Sequence, residues 1–411
     1  MKRGDLARNL ALSVASVLVV LVFVEGVARI LANDRGGKEQ REAHRYATYD
    51  PVLGWRKAPN REIQFSRRDF VTKVRINSQG LRDAERPVAK PAGEFRVVAL
   101  GDSFIEAYMM GDAETPTARL AQELGRPGCP IDVVNGGTFG YSTDQEFLAY
   151  DRDLHRYEPD VVALFVYHND IPPLLWGPDK PVLDFSTDPP SVSNEPVLSR
   201  FTEGAPLSAV VSPTPAQVGA PAPTPVPVSV FRSEALALLR ARLDAAPPSL
   251  RDRLVSLDLV PPLPPFDLND EIFLYARQPP EHLQRAMKVF QKTLAALKRR
   301  VEKDKARLLV VYIPARFEVN PQDWERTLAR YRIGNRRFDP RSVVFRLMTA
   351  AAQEDVPFLD LTDELKAAGG LLAGPYFETD SHWNARGAAA GARAVARKLL
   401  HLGWAPSCAV P

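Results

Sequence analysis

The chain has 411 residues, 45% of them hydrophobic, with 53 Lys+Arg against 50 Asp+Glu and a formal net charge of +3. That balance excludes an acidic disordered protein, a strongly basic nucleic-acid binder and a polytopic transporter. The length permits one large domain with insertions or two smaller ones.

Residues Leu10 to Val24 are uncharged and strongly apolar, and the apolar character continues past Glu25 and Arg29 to Leu31. As a helix, this stretch would be about 33 Å long, enough to cross a bilayer's hydrocarbon core. Lys2, Arg3 and Arg8 precede it, which places the N-terminus in the cytoplasm and the remaining chain outside, in a periplasmic or extracellular space. The end of the run has no small-x-small cleavage site, so residues 1–32 read as an uncleaved single-pass anchor in preference to a signal peptide.

Residues 33–94 are turn-rich, with short alternating pieces such as Phe70 to Ile76, and read as a small β-rich lead-in. The pattern then changes. Arg96–Leu100, Ile131–Asn135, Val161–Tyr167, Arg307–Ile313 and Val356–Leu361 are short continuous apolar runs of the kind that form buried parallel strands. Helical segments alternate with them. Thr115-Pro116 opens one that Gly125 ends, residues 281–303 keep Leu283, Ala286, Met287, Phe290, Leu294, Leu297 and Val301 on one face, Asp339-Pro340 opens another, and Asn384 caps the last. This alternation predicts a doubly wound α/β domain in two parts, 95–171 and 281–411.

Between those parts, residues 172–280 interrupt the pattern. Twenty of the 37 prolines fall between Pro172 and Pro265, so the segment is expected to be mobile or bound to a protein partner, with a short helix over Ser233–Leu243. The only cysteines are Cys129 and Cys408. They supply no zinc site, and both a single disulfide and two free thiols fit the sequence.

In open α/β sheets the chemistry lies at the carboxyl ends of the strands. Gly101-Asp102-Ser103-Phe104 follows the first buried run and presents a serine there. A serine hydroxyl needs a base. Of the six histidines, His44, His155, His282 and His401 read as solvated surface residues, whereas His382 lies in Glu378-Thr-Asp-Ser-His-Trp-Asn384 just before the last helix. Asp380 is two positions earlier, able to orient the imidazole, and Trp383 is placed to wall the site. Gly140, in the loop after the second strand, and Asn169, in His168-Asn169-Asp170 after the third, are candidate oxyanion donors. No Gly-x-Gly-x-x-Gly follows the first strand and no P-loop is present, so neither a metal nor an organic cofactor is expected.

These blocks, in this chain order, resemble the SGNH (GDSL-type) hydrolase superfamily over roughly residues 95–400 with the insertion excluded. The resemblance implies a flavodoxin-like sheet carrying a serine esterase triad of Ser103 as nucleophile, His382 as base then acid, and Asp380 as its orienting carboxylate. The oxyanion hole it implies is built from the Ser103 N–H, Gly140 and Asn169. Two departures stand out. Tyr167 occupies the position usually held by the glycine of Gly-x-Asn-Asp, and Asp380 and His382 are separated by one residue instead of two. The Asp-x-His-Trp form is similar to the SGNH-like proteins of bacterial polysaccharide O-acetylation, which place the pair before the serine.

Three functions follow as expectations. The favoured one is a membrane-anchored, extracytoplasmic hydrolase of acyl esters, carbohydrate-linked, working through an acyl-Ser103 intermediate. Its close rival is an O-acyltransferase that passes the same acyl group to a cell-surface polysaccharide. The third is a catalytically silent glycan-binding or assembly factor.

Overall fold

A computed structural model of the protein describes residues 45–176, 180–199, 201, 270–331, 333–369, 374–406 and 408, with isolated positions between 16 and 26. The chain divides into two units. One, residues 1–44 with 214–263, lies almost entirely outside the described residues, and with it the anticipated anchor, His44 and the anticipated helix over 233–243. No helix among the described residues is long and apolar enough to cross a membrane. The other unit, residues 45–213 with 264–411, carries everything below.

Two antiparallel hairpins come first, β1 (Ala47–Asp50) with β2 (Gly54–Lys57) and β3 (Arg61–Ser66) with β4 (Val71–Ile76). Five parallel strands then form the central sheet: β5 (Phe95–Leu100), β6 (Ile131–Asn135), β7 (Val161–Val166), β10 (Arg307–Tyr312) and β11 (Phe358–Asp360). A small hairpin of β8 (Leu183–Asp184) and β9 (Ser191–Val192) lies between β7 and β10 in the chain. All six residues of β7 are buried, as expected of a strand covered on both faces. The strand expected over 356–361 shortens to 358–360, since Pro357 has no N–H to give to a ladder.

The sheet order is β11-β10-β7-β5-β6. Counting only these five strands in chain order, that is 2-1-3-4-5, the flavodoxin-like arrangement that the family resemblance implies. The connection from β5 to β6 runs one way across the sheet and those from β6 through β7, β10 and β11 run the other. Right-handed crossovers therefore assign the helices to opposite faces. The packing agrees: helix Pro116–Leu124 contacts helix Ala385–His401, while helix Thr143–Arg152 contacts helix Glu281–Lys303, which in turn contacts Ser342–Gln353. The direction of winding reverses between β5 and β7, and in open α/β sheets the ligand crevice lies at such a point, outside the strands' carboxyl ends.

Two helix starts follow the anticipated caps, while the helix expected to open at Asp339-Pro340 begins at Ser342 with Arg341 at its cap. The Thr115 side chain accepts from Ala118 N–H with Pro116 in the first turn, and the Asn384 side chain accepts from Arg386 and Gly387 N–H. The proline-rich segment departs from expectation at both ends. Val197 N–H donates to Pro51 O at 2.7 Å, Ser199 Oγ to Gly54 O at 2.6 Å, and Phe201 packs near Trp55, so this part is fixed to the β1–β2 hairpin. At the other end Ile272, Leu274 and Tyr275 are buried. Apolar anchors and backbone bonds outweigh the extended bias of the prolines there, and residues 202–269 lie outside the described part.

Cys129 and Cys408 form a disulfide, Cα–Cα 5.5 Å, across a sequence separation of 279. It ties the chain's end to the loop before β6 and closes nearly the whole central domain. Replacing both cysteines with serine is expected to cost about 2–5 kcal/mol, read as a lowered urea midpoint under non-reducing conditions. An unchanged midpoint would mean the bridge does not constrain the unfolded chain.

Candidate active site

Three stretches far apart in sequence meet at the crevice. Asp102 caps the short helix Ser103–Glu106, its Oδ1 accepting Phe104 N–H at 2.8 Å, and this turn lifts Ser103 off the end of β5. Ser103 Oγ lies 2.7 Å from His382 Nε2. On the imidazole's other side Nδ1 bonds Asp380 Oδ1, which also accepts the His382 backbone N–H at 2.9 Å. With Nδ1–H donating its hydrogen bond to the carboxylate, Nε2 is left to accept from the serine. Burial alone would raise the Asp380 carboxyl. The hydrogen bonds and charge of His382, with the charge of Arg67, outweigh burial and hold it below the usual carboxylate range.

The Asp-His loop is fixed by residues that sequence reasoning passed over. Asp69, in the β3–β4 turn, accepts Thr379 N–H at 2.6 Å and Asp380 N–H at 3.0 Å through Oδ2. Arg316 Nη1 donates to the carbonyls of Glu378 and Phe377 at 2.8 and 3.2 Å. Phe377 N–H donates to His382 O and closes the loop on itself. Nothing near Asp69 in the chain signals a partner more than 300 residues away.

Trp383 is a correction. It does not wall the site but is fully buried, its Nε1 donating to Phe104 O at 3.1 Å and its ring edge-on to Phe104 at 5.6 Å. A large indole whose single N–H is satisfied by a carbonyl gains most in the core. It thereby couples the nucleophile's turn to the final helix. Against the His382 ring lie Phe104, itself buried, at 4.7 Å, and Tyr108 at 6.0 Å, of which only the half-buried Tyr108 reaches the surface to form a wall. Tyr167 is buried against Phe104 at 4.5 Å, so its ring backs that of Phe104.

Gly140 and Asn169 lie in the loops after β6 and β7, the two strands that flank β5. The Ser103 turn and the β6 loop are joined directly: Thr138 N–H donates to Gly101 O at 3.0 Å and Asn135 Nδ2 to Ile105 O at 2.9 Å. Gly137 permits this approach, since a Cβ there would lie 2.3 Å from Glu106 N. Gly140 has φ +67°, a conformation that favours glycine. Asn169 sits in the turn His168–Asp170, and its Oδ1 is buried without a hydrogen-bond partner among the described residues.

Carboxyls cluster behind the serine. Burial pushes Asp102, Glu146 and Asp170 upward; repulsion from Asp102 adds to the shift of the other two, whereas the charge of His382 and hydrogen bonds from Phe104 N–H and Ser103 pull Asp102 back. These groups are therefore held toward the neutral form.

The remaining histidines divide as follows. His155 is half-buried in the turn Leu154–Tyr157 with Nδ1 3.3 Å from Tyr150 O, His282 is half-buried and His401 is exposed. His168 is buried, with Nδ1 3.1 Å from Tyr275 Oη and Nε2 3.2 Å from Glu271 Oε2. Tyr275 also donates to Glu318 Oε1 at 2.8 Å, as do Tyr312 Oη at 2.6 Å and Ala315 N–H at 2.8 Å, while Glu318 Oε2 is buried without a partner.

Burial pushes the Glu318 carboxyl up from 4.5 to about 7. Across that interval the folded protein holds a proton that the unfolded chain has released. Stability from this group is thus complete below about pH 4.5 and falls by roughly 3 kcal/mol as pH rises through 7. Glu318→Gln is expected to flatten that part of the profile, measured as urea midpoint against pH. Parallel profiles for the two proteins would show that Glu318 does not titrate there.

Residues 272–407 match the family model described as SGNH hydrolase-like domain, acetyltransferase AlgX; the match includes Asp380 and His382 but not Ser103. No curated protein sequence matches the chain. Among solved structures, the chain is similar to TesA, at 12% identity over 75% of this chain and 99% of that one, with a TM-score of 0.37. It is similar also to a lipase/acylhydrolase from Enterococcus faecalis, at 10% identity over 75% and 96% with a TM-score of 0.36. A third is a catalytic mutant of Axe2, an acetylxylan esterase from Geobacillus stearothermophilus, at 13% identity over 76% and 97% with a TM-score of 0.35. The family match at the Asp-His end of the domain, and the sheet that delivers a serine to that histidine, are features this chain shares with the SGNH hydrolase-like domain.

Proposed function

We propose that the protein is a membrane-anchored, extracytoplasmic serine hydrolase of acyl esters, acting on an acylated glycan. The observation that carries this reading is the continuous Ser103–His382–Asp380 hydrogen-bonded relay at the sheet's crevice. Ser103 Oγ attacks the ester carbonyl as its proton passes to His382 Nε2, and Asp380 stabilises the imidazolium. Backbone N–H groups of Ser103 and Gly140 with the Asn169 amide receive the oxyanion, each donor worth about 10²–10³ in rate. The intermediate collapses, the leaving alcohol takes the proton from Nε2, and acyl-Ser103 remains. Water, deprotonated by His382, releases the carboxylic acid and restores the serine.

The placement outside the cytoplasm is supported by the apolar run after Lys2, Arg3 and Arg8 and by the Cys129–Cys408 bridge, which suits an oxidising compartment. The family description favours a second reading, in which a carbohydrate hydroxyl instead of water attacks acyl-Ser103. The full chain is to be supplied with an acetyl ester with and without oligosaccharide acceptors, and the acetyl group followed by mass spectrometry. Free acetate at a rate independent of acceptor is the result expected of the hydrolase. Acetylated oligosaccharide as the main product would replace hydrolysis with transfer, and no turnover of any ester would leave the silent binding factor.

A further inference from the structure

The turn His168–Asp170 carries Asn169, yet the Asn169 amide has no hydrogen-bond partner among the described residues, and its Oδ1 is buried unpaired. Its aim is therefore set by the backbone of the turn. Asp170 N–H donates to Tyr167 O at 3.1 Å and Tyr167 N–H to Asp170 Oδ2 at 2.7 Å, bonds that shape the turn without fixing it to another element. Among the described residues, the polar side-chain contacts that tie this turn to another element are all made by His168.

His168 is 1% exposed, with the Tyr167 ring 4.0 Å from its own. Its Nδ1 meets Tyr275 Oη at 3.1 Å, and its Nε2 lies 3.2 Å from Glu271 Oε2, an ion-pair distance. Tyr275 has a single hydroxyl hydrogen. With that hydrogen donated to Glu318 Oε1 at 2.8 Å, His168 Nδ1–H is the donor to the Tyr275 oxygen, and the imidazole is held at both nitrogens. Both partners lie in the turn Asp270–Tyr275, where the described chain resumes after residues 202–269. That turn is itself anchored. Ile272, Leu274 and Tyr275 are buried, Asp339 N–H donates to Tyr275 O at 2.9 Å, and Arg346 Nη2 donates to Ala276 O at 2.6 Å.

We propose that Glu271 and Tyr275 are positioning residues: through His168 they hold the turn that aims Asn169 at the oxyanion, so the far end of the proline-rich segment sets the competence of the site. Their role presupposes the acyl chemistry proposed for Ser103. An oxyanion donor is effective when it stands about 2.7–3.1 Å from the developing charge, and a misplacement of about 1 Å can cost 10²-fold. Asn169 has no hydrogen bond of its own to resist such a shift, so the clamp on His168 must supply the resistance. Because the donor acts on charge that develops in the transition state, its loss of aim falls on kcat and leaves KM alone.

The test is steady-state turnover of an acetyl ester by the full chain, with Ser103-dependent fluorophosphonate labelling as the check on the chemistry itself. Glu271→Ala is expected to lower kcat about 10-fold with KM unchanged, a part of the 10²–10³ that a whole donor is worth. Glu271→Gln, whose amide N–H can still meet an imidazole nitrogen, should recover most of that loss. In an Asn169→Ala background Glu271→Ala should cost nothing further, since the donor it aims is gone. Tyr275→Phe keeps the ring, removes only the hydroxyl, and carries the same comparison should Glu271→Ala fail to fold. Equal losses in the wild-type and Asn169→Ala backgrounds would make the clamp a matter of stability and overturn the proposal, as would an unchanged kcat in Glu271→Ala. Full activity in Asn169→Ala would overturn it too, by leaving nothing to aim. A wild-type chain that does not label at Ser103 would instead remove the acyl chemistry, and the clamp with it.

Discussion

Ser103→Ala is expected to lower acyl-ester turnover by at least ~10³-fold and to abolish labelling by a fluorophosphonate probe, with the melting midpoint nearly unchanged. The serine hydroxyl makes its one close contact with His382 Nε2, at 2.7 Å, and a more distant one with Asp102 Oδ2 at 3.4 Å, so the fold loses little when it is removed. Chemistry loses its nucleophile. His382→Ala should be as damaging as Ser103→Ala, and the double variant no worse than either, because the two act as a unit. Asp380→Asn should cost about 10³–10⁴-fold, since the amide cannot hold the imidazole in the tautomer that leaves Nε2 as acceptor. Turnover and labelling that persist in Ser103→Ala would remove the serine from the mechanism, and with it the acyl-enzyme.

The meeting of Ser103 with His382 was legible in the sequence because each sits at a change of local pattern. Ser103 follows a buried strand run, and His382 precedes a capped alanine-rich helix. What surrounds them was not legible, for a physical reason. Asp69, Arg316 and Glu106 act by hydrogen bonds to backbone N–H and C=O groups, which every residue carries and no sequence marks. Trp383 was misplaced because adjacency to a catalytic residue does not say which side of the loop a side chain takes. His168, beside Asn169, gave no sign of its Tyr275 and Glu271 partners, which come from the far end of the proline-rich segment. That segment was judged by composition, yet its described ends are held by Val197, Ser199, Phe201 and Tyr275, few residues with long-range contacts.

Glu106→Ala is expected to destabilise the protein by about 3–5 kcal/mol and, where it remains folded, to slow fluorophosphonate labelling. Glu106 ends the short helix that begins with Ser103, and it is fully buried. Its Oε1 accepts the Tyr46 hydroxyl and its Oε2 the Phe139 N–H, and its backbone carbonyl accepts Arg82 Nη1 at 2.8 Å. Burial raises its pKa, opposed by the charge of Lys57, which itself grips Gly137 O and Thr138 Oγ1. One carboxyl therefore ties the nucleophile's turn to the loop carrying Gly140 and to the β1 hairpin. Removing it strands two buried donors and a buried lysine while freeing the oxyanion loop. The double variant Glu106→Gln with Lys57→Met removes the charges in a matched way and should be less destabilised than Glu106→Ala. It should still label slowly, because the amide cannot accept from both Tyr46 and Phe139 through two oxygens. If labelling instead returned to the wild-type rate in that variant, the Gly140 loop would be positioned without Glu106, and Lys180, whose Nζ holds Gly140 O, would be the anchor that matters.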